Sequence, residues 1–292
     1  MGFIEPISAV LSFFPIIGLA ALGGLLSQKS GVYNIAIEGT MAFGTFSGIF
    51  AYFHWQSLWI SLLFGFFCGA VFGVLLSVLS VRYKLNQIVI GFAIWFLAEG
   101  LAGFLYFVLV PMGFSVPERF GDIFLSLDPI FYLTIGLFVF FFIFFRWTKQ
   151  GLAVTVAGES PEVADAAGIN VYRIRWICNI IGAGLMGVAG SYLAVHILQG
   201  FTYKMIAGYG WVAFAVIMFG RWSPTGVLLG SIFFSSLIGI QTRLQVAGII
   251  FIPPEFMVVL PHIGVIIALT LVGILGKKSG MPSALGIPYE RE

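Results

Sequence analysis

Hydrogen-bonding side chains inside long apolar runs are the residues of this sequence that could do chemistry. Asn34 and Glu38 lie four positions apart, so a helix over 31–53 would place both on one face. An amide or a charge inside an apolar span is costly and is a functional hypothesis by default. Two interpretations remain open: a hydrogen-bonding pair that locks one helix to another, or a polar lining of a path for a solute.

A second pattern follows along the chain, where residues at intervals of four would form one stripe of a helix. Its members are Gln87 (amide), Gly91 (gap), Trp95 (indole) and Glu99 (carboxylate). A flat aromatic ring beside hydrogen-bonding groups suits a sugar or a nucleobase. The alternative is that Gln87 caps the helix at an interface and that Trp95 only packs.

The elements that must position these side chains belong in lipid. Of the 292 residues, 60% are hydrophobic and 9% are charged, and the mean hydropathy is +1.07. A soluble domain carries roughly 25% charged residues. The 14 basic and 12 acidic side chains could not cover this much apolar surface in water, which excludes a soluble enzyme. A net charge of only +2 also argues against a nucleic-acid partner.

Continuous apolar runs predict membrane-spanning helices, each of about 20 residues. We therefore expect an all-α, polytopic integral membrane bundle of about nine helices, forming a single domain over residues 1–292. The predicted spans are 6–26, 31–53, 57–80, 86–110, 127–145, 175–197, 209–220, 224–244 and 256–275. The seventh is short and aromatic, so we expect it to be tilted or broken.

Positive charge is distributed unequally between the loops on the two sides. One set of loops holds Lys29, Arg82, Lys84, Arg146, Lys149, Arg173, Arg175, Arg221, Lys277, Lys278 and Arg291. The other set holds Arg119, Lys204 and Arg243. Because Lys and Arg concentrate in cytoplasmic loops, the larger set predicts the cytoplasmic side of a cell membrane. The N-terminus would then lie outside and the tail 276–292 inside.

The longest polar segment, 146–176, falls on the predicted cytoplasmic side and contains the start signals of a short helix. Ser160 suits an N-cap, Pro161 suits the first helical position, and Gly168 would end the helix. A helix of about two turns is not stable alone in water. We therefore expect it to dock on a partner.

The same helix carries a recognisable motif. Residues 158–169, GESPEVADAAGI, resemble the coupling-loop motif of bacterial and archaeal ABC importer permeases for branched-chain amino acids, simple sugars and nucleosides. Ser160 replaces the usual Asn, which keeps a helix-capping residue type. The resemblance covers about residues 10–275.

Within this group of permeases, two further segments resemble the nucleoside (guanosine-type) members. Residues 31–39, GVYNIAIEG, look like the corresponding segment of those permeases, and Asn86-Gln87 with Gly91 is similar to their next motif. The sequence typical of ribose permeases is absent from this place. The resemblance therefore implies a permease subunit that forms the translocation path for ribonucleosides or a related sugar, and that has no catalytic residues.

The polar patterns described above and the resemblance together assign roles to particular residues and partners. The path would be lined by Asn34, Glu38, Gln87, Trp95 and Glu99. Contact with an ATPase would involve Glu159, Ser160, Pro161, Ala164, Ala167 and Gly168, with close approach at the two alanines. The implied partners are a second permease chain, related or identical, ATPase chains, and an extracellular solute-binding protein or lipoprotein, all set in or beside membrane lipid.

This chain is expected to bind no cofactor itself, because ATP and Mg²⁺ would be held by the partner ATPase chains. Its sequence contains no GxxxxGK[ST] phosphate-binding loop and no clustered Cys or His residues for a metal. The main alternative is a proton- or ion-coupled secondary transporter that uses Glu38 and Glu99, although inverted repeats are not evident. An intramembrane enzyme is the third class of protein considered. The predicted spans argue against it, because they contain no Ser/His, paired Asp or metal constellation.

Overall fold

The computed structural model describes residues 8, 10–110, 117–246, 259, 263–267, 270, 273–274 and 280–290. Among these residues, β-structure is limited to one isolated bridge between Phe124 and Leu127. The named helices are α1 (Phe14–Lys29), α2 (Ile37–Trp55), α3 (Leu58–Ser77), α4 (Gln87–Leu109), α5 (Pro129–Trp147), α6 (Lys149–Glu159), α7 (Pro161–Ala166), α8 (Val171–Tyr192), α9 (Tyr209–Phe219) and α10 (Pro224–Val246). Short π-helical turns, Val78–Arg82 and Leu193–Ile197, extend α3 and α8.

The prediction of an all-helical, polytopic membrane protein is confirmed. Helices α3 and α8 with their extensions, and α4, α5 and α10, are long and apolar enough to cross a membrane. Helices α1 and α9 are apolar but shorter, and α9 has the short length expected for the seventh span. The first eight predicted spans therefore correspond to described helices, whereas the ninth, 256–275, lies mostly outside the described residues.

The second span begins later than predicted. Helix α2 starts at Ile37, and the six residues before it are not helical. The reason is local: the Asn34 Oδ1 atom accepts a hydrogen bond from the Ala36 N–H at 3.0 Å, a turn that competes with a helix. Asn34 and Glu38 consequently do not share a helix face, and that part of the prediction is wrong.

Helix α8 lies at the centre of the bundle and packs on α1, α2 and α3. A Cβ atom at Gly187 would meet the carbonyl oxygen of Gly65 on α3, and one at Gly190 would meet the carbonyl oxygen of Met41 on α2. Such close backbone approach is the usual means of helix packing in lipid, where the hydrophobic drive between helices is absent. The glycines therefore fix the helices that surround the candidate site.

The polar loop 146–176 contains two helices where the sequence predicted one. Helix α6 comes first, and the Thr148 hydroxyl caps it by accepting a hydrogen bond from the Gly151 N–H at 2.9 Å. Helix α7 follows at the predicted place and ends at Ala166, two residues before Gly168, whose φ of +80° is a conformation that favours glycine. Residues 148–168 are called the coupling segment below.

Candidate functional site

A cavity of 320 Å³ lies between α2, α4 and the non-helical residues 201–207. Its polar wall consists of Glu38, Thr45, Glu99, Thr202 and Lys204, and its aromatic wall of Trp95, Phe96, Phe201 and Tyr203. Small-molecule sites commonly have volumes of about 300–1,000 Å³ and combine apolar walls with a few polar groups. The cavity therefore has the size and composition of a site for a small polar solute with a flat face.

Glu38, in the first turn of α2, fixes one wall of the cavity to α9. Its carboxylate is nearly buried, at 8% exposure, and accepts hydrogen bonds from the Gly208 N–H at 2.8 Å and the Gly210 N–H at 2.7 Å. Those donors belong to the N-terminal end of α9, where backbone N–H groups favour a negative charge. A Cβ atom at Gly210 would lie 2.5 Å from the Glu38 Cα, so glycine is required for this close approach.

Trp95 provides the largest flat surface of the cavity. Its ring stacks on Phe96 at 4.8 Å between centroids, and it meets the Trp211 ring edge-on at 5.2 Å. The indole Nε1 atom is buried and finds no hydrogen-bond partner among the described residues. A buried donor without a partner is costly, so ring contacts and not a hydrogen bond hold this indole at the cavity wall.

Sequence reasoning missed part of this wall. Thr45 and Thr202 were not singled out, and Lys204 was considered only as a basic residue of a loop, yet all three line the cavity. Residues 201–207 have no regular periodicity, so no helix pattern could place them beside α4. The available signal was a lysine and several aromatic residues in a short run between two apolar spans.

Two of the five predicted path residues lie outside the cavity. Asn34 forms the turn before α2, and the Gln87 Oε1 atom accepts a hydrogen bond from the Tyr33 N–H at 2.6 Å. Both side chains therefore hold the segment 31–36, while Glu38, Trp95 and Glu99 line the cavity. The structure thus divides the predicted set into a cavity group and a group that fixes the neighbouring segment.

The coupling segment has an inner and an outer face. Ser160 takes the N-cap position of α7, but its side chain makes no capping hydrogen bond, contrary to the prediction. Ala164 is fully buried and packs against Ala157, Val171 and Tyr289 of the same chain. The expectation that Ala164 faces a partner is therefore not met, because the outer face carries Glu162, Val163 and Ala167.

Other residues of the predicted coupling set have structural partners within the chain. Pro161 is buried at the first position of α7. The Glu159 Oε2 atom accepts hydrogen bonds from the Ser283 N–H and from the Ser283 hydroxyl, each at 3.0 Å. The described part of the tail, residues 280–290, therefore packs on the coupling segment.

Comparison with known proteins identifies the family. The family described as "Branched-chain amino acid transport system / permease component" matches residues 7–274. The chain belongs to this family of ABC importer permeases. It is accordingly a multi-pass, non-catalytic membrane component, and the ion-coupled secondary transporter is excluded as an alternative. Members of the family work with ATPase and solute-binding partners.

Three relatives show the range of this similarity. The chain is 34% identical to the guanosine ABC transporter permease protein NupQ of Bacillus subtilis (strain 168), over 97% of this chain and 95% of that one. It is 32% identical to the nucleoside ABC transporter permease protein NupC of Lactococcus lactis subsp. cremoris (strain MG1363), over 92% and 91%. A putative glucose ABC transporter permease protein of Haloferax volcanii, TsgC13, is 28% identical over 98% and 97%. No solved structure matches the chain.

The described residues offer no competing site for a metal. Among them, no group of three or more His, Cys, Asp or Glu side chains is placed to hold a metal ion.

Proposed function

We propose that this permease carries ribonucleosides, and that the solute occupies the cavity between α2, α4 and residues 201–207. The observation that carries the proposal is the cavity wall, where the Trp95 indole lies beside the carboxylates of Glu38 and Glu99. A base stacks on an aromatic ring with about 1–3 kcal/mol per base. The hydroxyl groups of a ribose suit carboxylate and threonine acceptors, which the same wall provides at Thr45 and Thr202.

The similarity to guanosine and nucleoside permeases supports the same choice, whereas the similarity to a putative glucose permease keeps a sugar as the second candidate. The aromatic wall favours the nucleoside, because a sugar offers no base to stack. Asn34 and Gln87 serve the path indirectly in this account, by holding the segment 31–36.

We further propose that the outer face of the coupling segment docks on an ATPase chain. Val163 is 61% exposed on a helix too short to persist alone, and Glu162 and Ala167 are exposed beside it. ATP and Mg²⁺ would be held by that ATPase, and this chain would bind no cofactor. A second permease chain, related or identical, would complete the path, and an extracellular binding protein would deliver the solute.

The proposed orientation places the coupling segment and the tail in the cytoplasm. Basic residues of the larger set lie around this end: Lys84 pairs with Glu290, Arg175 donates to the Ile287 carbonyl, and the Arg221 backbone contacts Gly280. In a background without the two native cysteines, Ser160→Cys should be labelled only from the cytoplasm. Ser126→Cys should be labelled only from outside. The reverse pattern would overturn the orientation.

Uptake by the complete importer tests the solute. Proteoliposomes with this chain, its partner permease, ATPase chains and binding protein are given labelled guanosine, with unlabelled nucleosides or sugars as competitors. We expect nucleosides to compete and glucose or ribose not to compete. Trp95→Ala should lower the uptake rate at saturating binding protein about ten-fold or more.

A matched control uses Trp147, which is 71% exposed at the end of α5 and does not line the cavity. Trp147→Ala should transport like the wild type. Uptake of a labelled sugar but not of labelled guanosine would favour the second candidate. An unchanged rate in Trp95→Ala would show that Trp95 only packs.

A further inference from the structure

The tail of the chain is bonded to the coupling segment through backbone and side-chain groups. The Ala284 N–H donates to the Gly158 carbonyl oxygen at 3.0 Å, and Ser283 donates two hydrogen bonds to Glu159. The two segments are more than one hundred residues apart in sequence, so this contact is a feature of the fold. A displacement of the coupling segment must therefore either carry the tail with it or break these bonds.

The same tail is bonded to the turn between α1 and α2. The Gly286 N–H donates to the Gly31 carbonyl oxygen at 3.1 Å. Arg175 lies beside this bond and is only 2% exposed. Its Nε atom donates a hydrogen bond to the Ser30 carbonyl oxygen at 3.2 Å, and its Nη1 atom donates one to the Ile287 carbonyl oxygen at 3.1 Å. Because a buried charge is tolerated only when it is hydrogen-bonded, the guanidinium fixes the tail and the turn to the start of α8.

The Ser30–Gly31 turn leads into segment 31–36, which separates the cavity from a groove along α4. The cavity borders α4 at Trp95 and Glu99, and a groove of 610 Å³ borders it at Gln87 and also contacts Tyr33 and the tail. Between them, Ile35 packs against Gly91, since a Cβ atom added there would lie 2.9 Å from the Ile35 Cβ. Ile35 is 7% exposed. The Ile35 side chain therefore occupies the space that Gly91 leaves open in the row of α4 residues formed by Gln87, Gly91, Trp95 and Glu99.

We propose that residues 31–36 are a gate between the cavity and the groove, and that the tail 280–290 links this gate to the coupling segment. The proposal rests on the proposed function, because it assigns the groove to the exit side of the same path. Movement of the coupling segment, together with the start of α8 that follows it, shifts the tail and the Ser30–Gly31 turn that are bonded to Arg175, and Ile35 withdraws from Gly91. Non-helical backbone suits this role, because the segment can move without breaking the ladder of hydrogen bonds inside a helix.

The gate is tested by locking it. In a background without native cysteines, the pair Ile35→Cys and Gly91→Cys would place two Cβ atoms 2.9 Å apart, so the segment must move outward by about 1 Å to reach the roughly 3.8 Å that a disulfide needs. Oxidation should reduce uptake by the complete importer more than ten-fold, and reduction should restore it. Each single variant is the matched control and should be insensitive to oxidant. A formed disulfide with unchanged uptake, or two labelled thiols that do not cross-link, would overturn the gate.

Ile35→Ala provides a second test that introduces no bulk beside Gly91. It shortens the side chain in the gap, so liposomes containing the complete importer should leak preloaded solute without ATP. The wild-type importer should retain the solute. Equal retention by the variant would contradict the gate.

The linkage is tested by removing the tail from residue 280 onward, with removal of residues 291–292 as the control. ATP hydrolysis by the assembled complex should continue, while uptake per ATP should fall about ten-fold. Retained uptake would overturn the linkage. A parallel loss of ATP hydrolysis and uptake would also overturn it, because the tail would then serve assembly alone. Every assay uses the solute that the wild type carries, so an incorrect nucleoside assignment is seen in the wild type and does not affect these outcomes.

Discussion

Two carboxylates, one at the cavity and one at the coupling segment, perform the same task in different surroundings. Glu38 joins α2 to the N-terminal end of α9 through two backbone N–H groups. Glu159 joins α6 to the tail through the N–H and hydroxyl of Ser283. Glu38 is nearly buried, whereas Ser283, the residue that donates to Glu159, is exposed to solvent.

The difference in burial determines how firmly each connection holds. The Gly210 N–H that donates to Glu38 is buried, and a buried polar group left without a partner costs about 1–3 kcal/mol. Water competes for the partners of Glu159, and exposed charged contacts contribute only about 0–1 kcal/mol. The cavity wall on α9 is therefore rigid, and the coupling side can exchange its contacts during a transport cycle.

The largest predicted effect separates the two faces of the coupling segment. Ala164→Arg would force a long, charged side chain into a fully buried position, so we expect the protein level in the membrane to fall severely. Val163→Arg changes the exposed neighbour and should leave that level unchanged while ATPase co-purification is lost. Immunoblots of membranes and pull-downs measure both. Equal protein levels for the two variants would mean that the coupling segment has no packed inner face.

A smaller effect is expected at the cavity. Glu38→Gln retains the shape of the side chain, but its NH₂ group would face one of the two glycine N–H donors and leave that donor unsatisfied. We expect a loss of about 1–3 kcal/mol of stability and only partial uptake. The melting temperature of the purified complex and its uptake rate are the measurements. Glu99→Gln, in the same cavity wall, is the matched control for stability, and an equal fall in melting temperature in both variants would remove the special role of Glu38.

Much of the helical framework could be predicted from sequence because its signals are local. Helix α4 begins directly after Asn86, the first residue of the predicted span 86–110. The Asn86 Oδ1 atom accepts hydrogen bonds from the Ile88 N–H at 3.0 Å and the Val89 N–H at 3.2 Å. The stripe along α4 likewise places Trp95 and Glu99 at the cavity. Apolar periodicity and a capping residue depend only on neighbours in the chain.

The features that sequence reasoning missed depend on distant contacts. Residues 201–207 line the cavity only because α9 is attached to Glu38 from across the fold. The inward direction of Ala164 depends on Tyr289 in the tail, more than one hundred residues away. Asn34 was misplaced for a different reason, since its side chain forms a turn where apolar neighbours predicted a helix.

The smallest predicted effect concerns the exposed end of the tail. The Lys84 Nζ atom lies 2.7 Å from the Glu290 Oε1 atom, and this bond lowers the pKa of Glu290 and raises the pKa of Lys84. The pair therefore contributes at neutral pH and is lost as the pH falls through the lowered pKa of Glu290. Amide hydrogen exchange in the tail should be slightly faster in Glu290→Gln at neutral pH, and the difference should vanish in acid. A difference that persists in acid would contradict the pairing.

The central claim, that a nucleoside occupies the cavity beside α4, is tested most directly by an experimental structure of the complete importer with bound guanosine. The account predicts density for the base against the Trp95 ring, with the ribose toward Glu99 and the residues of segment 201–207. Density for the solute at a site that does not contact α4 would contradict the account.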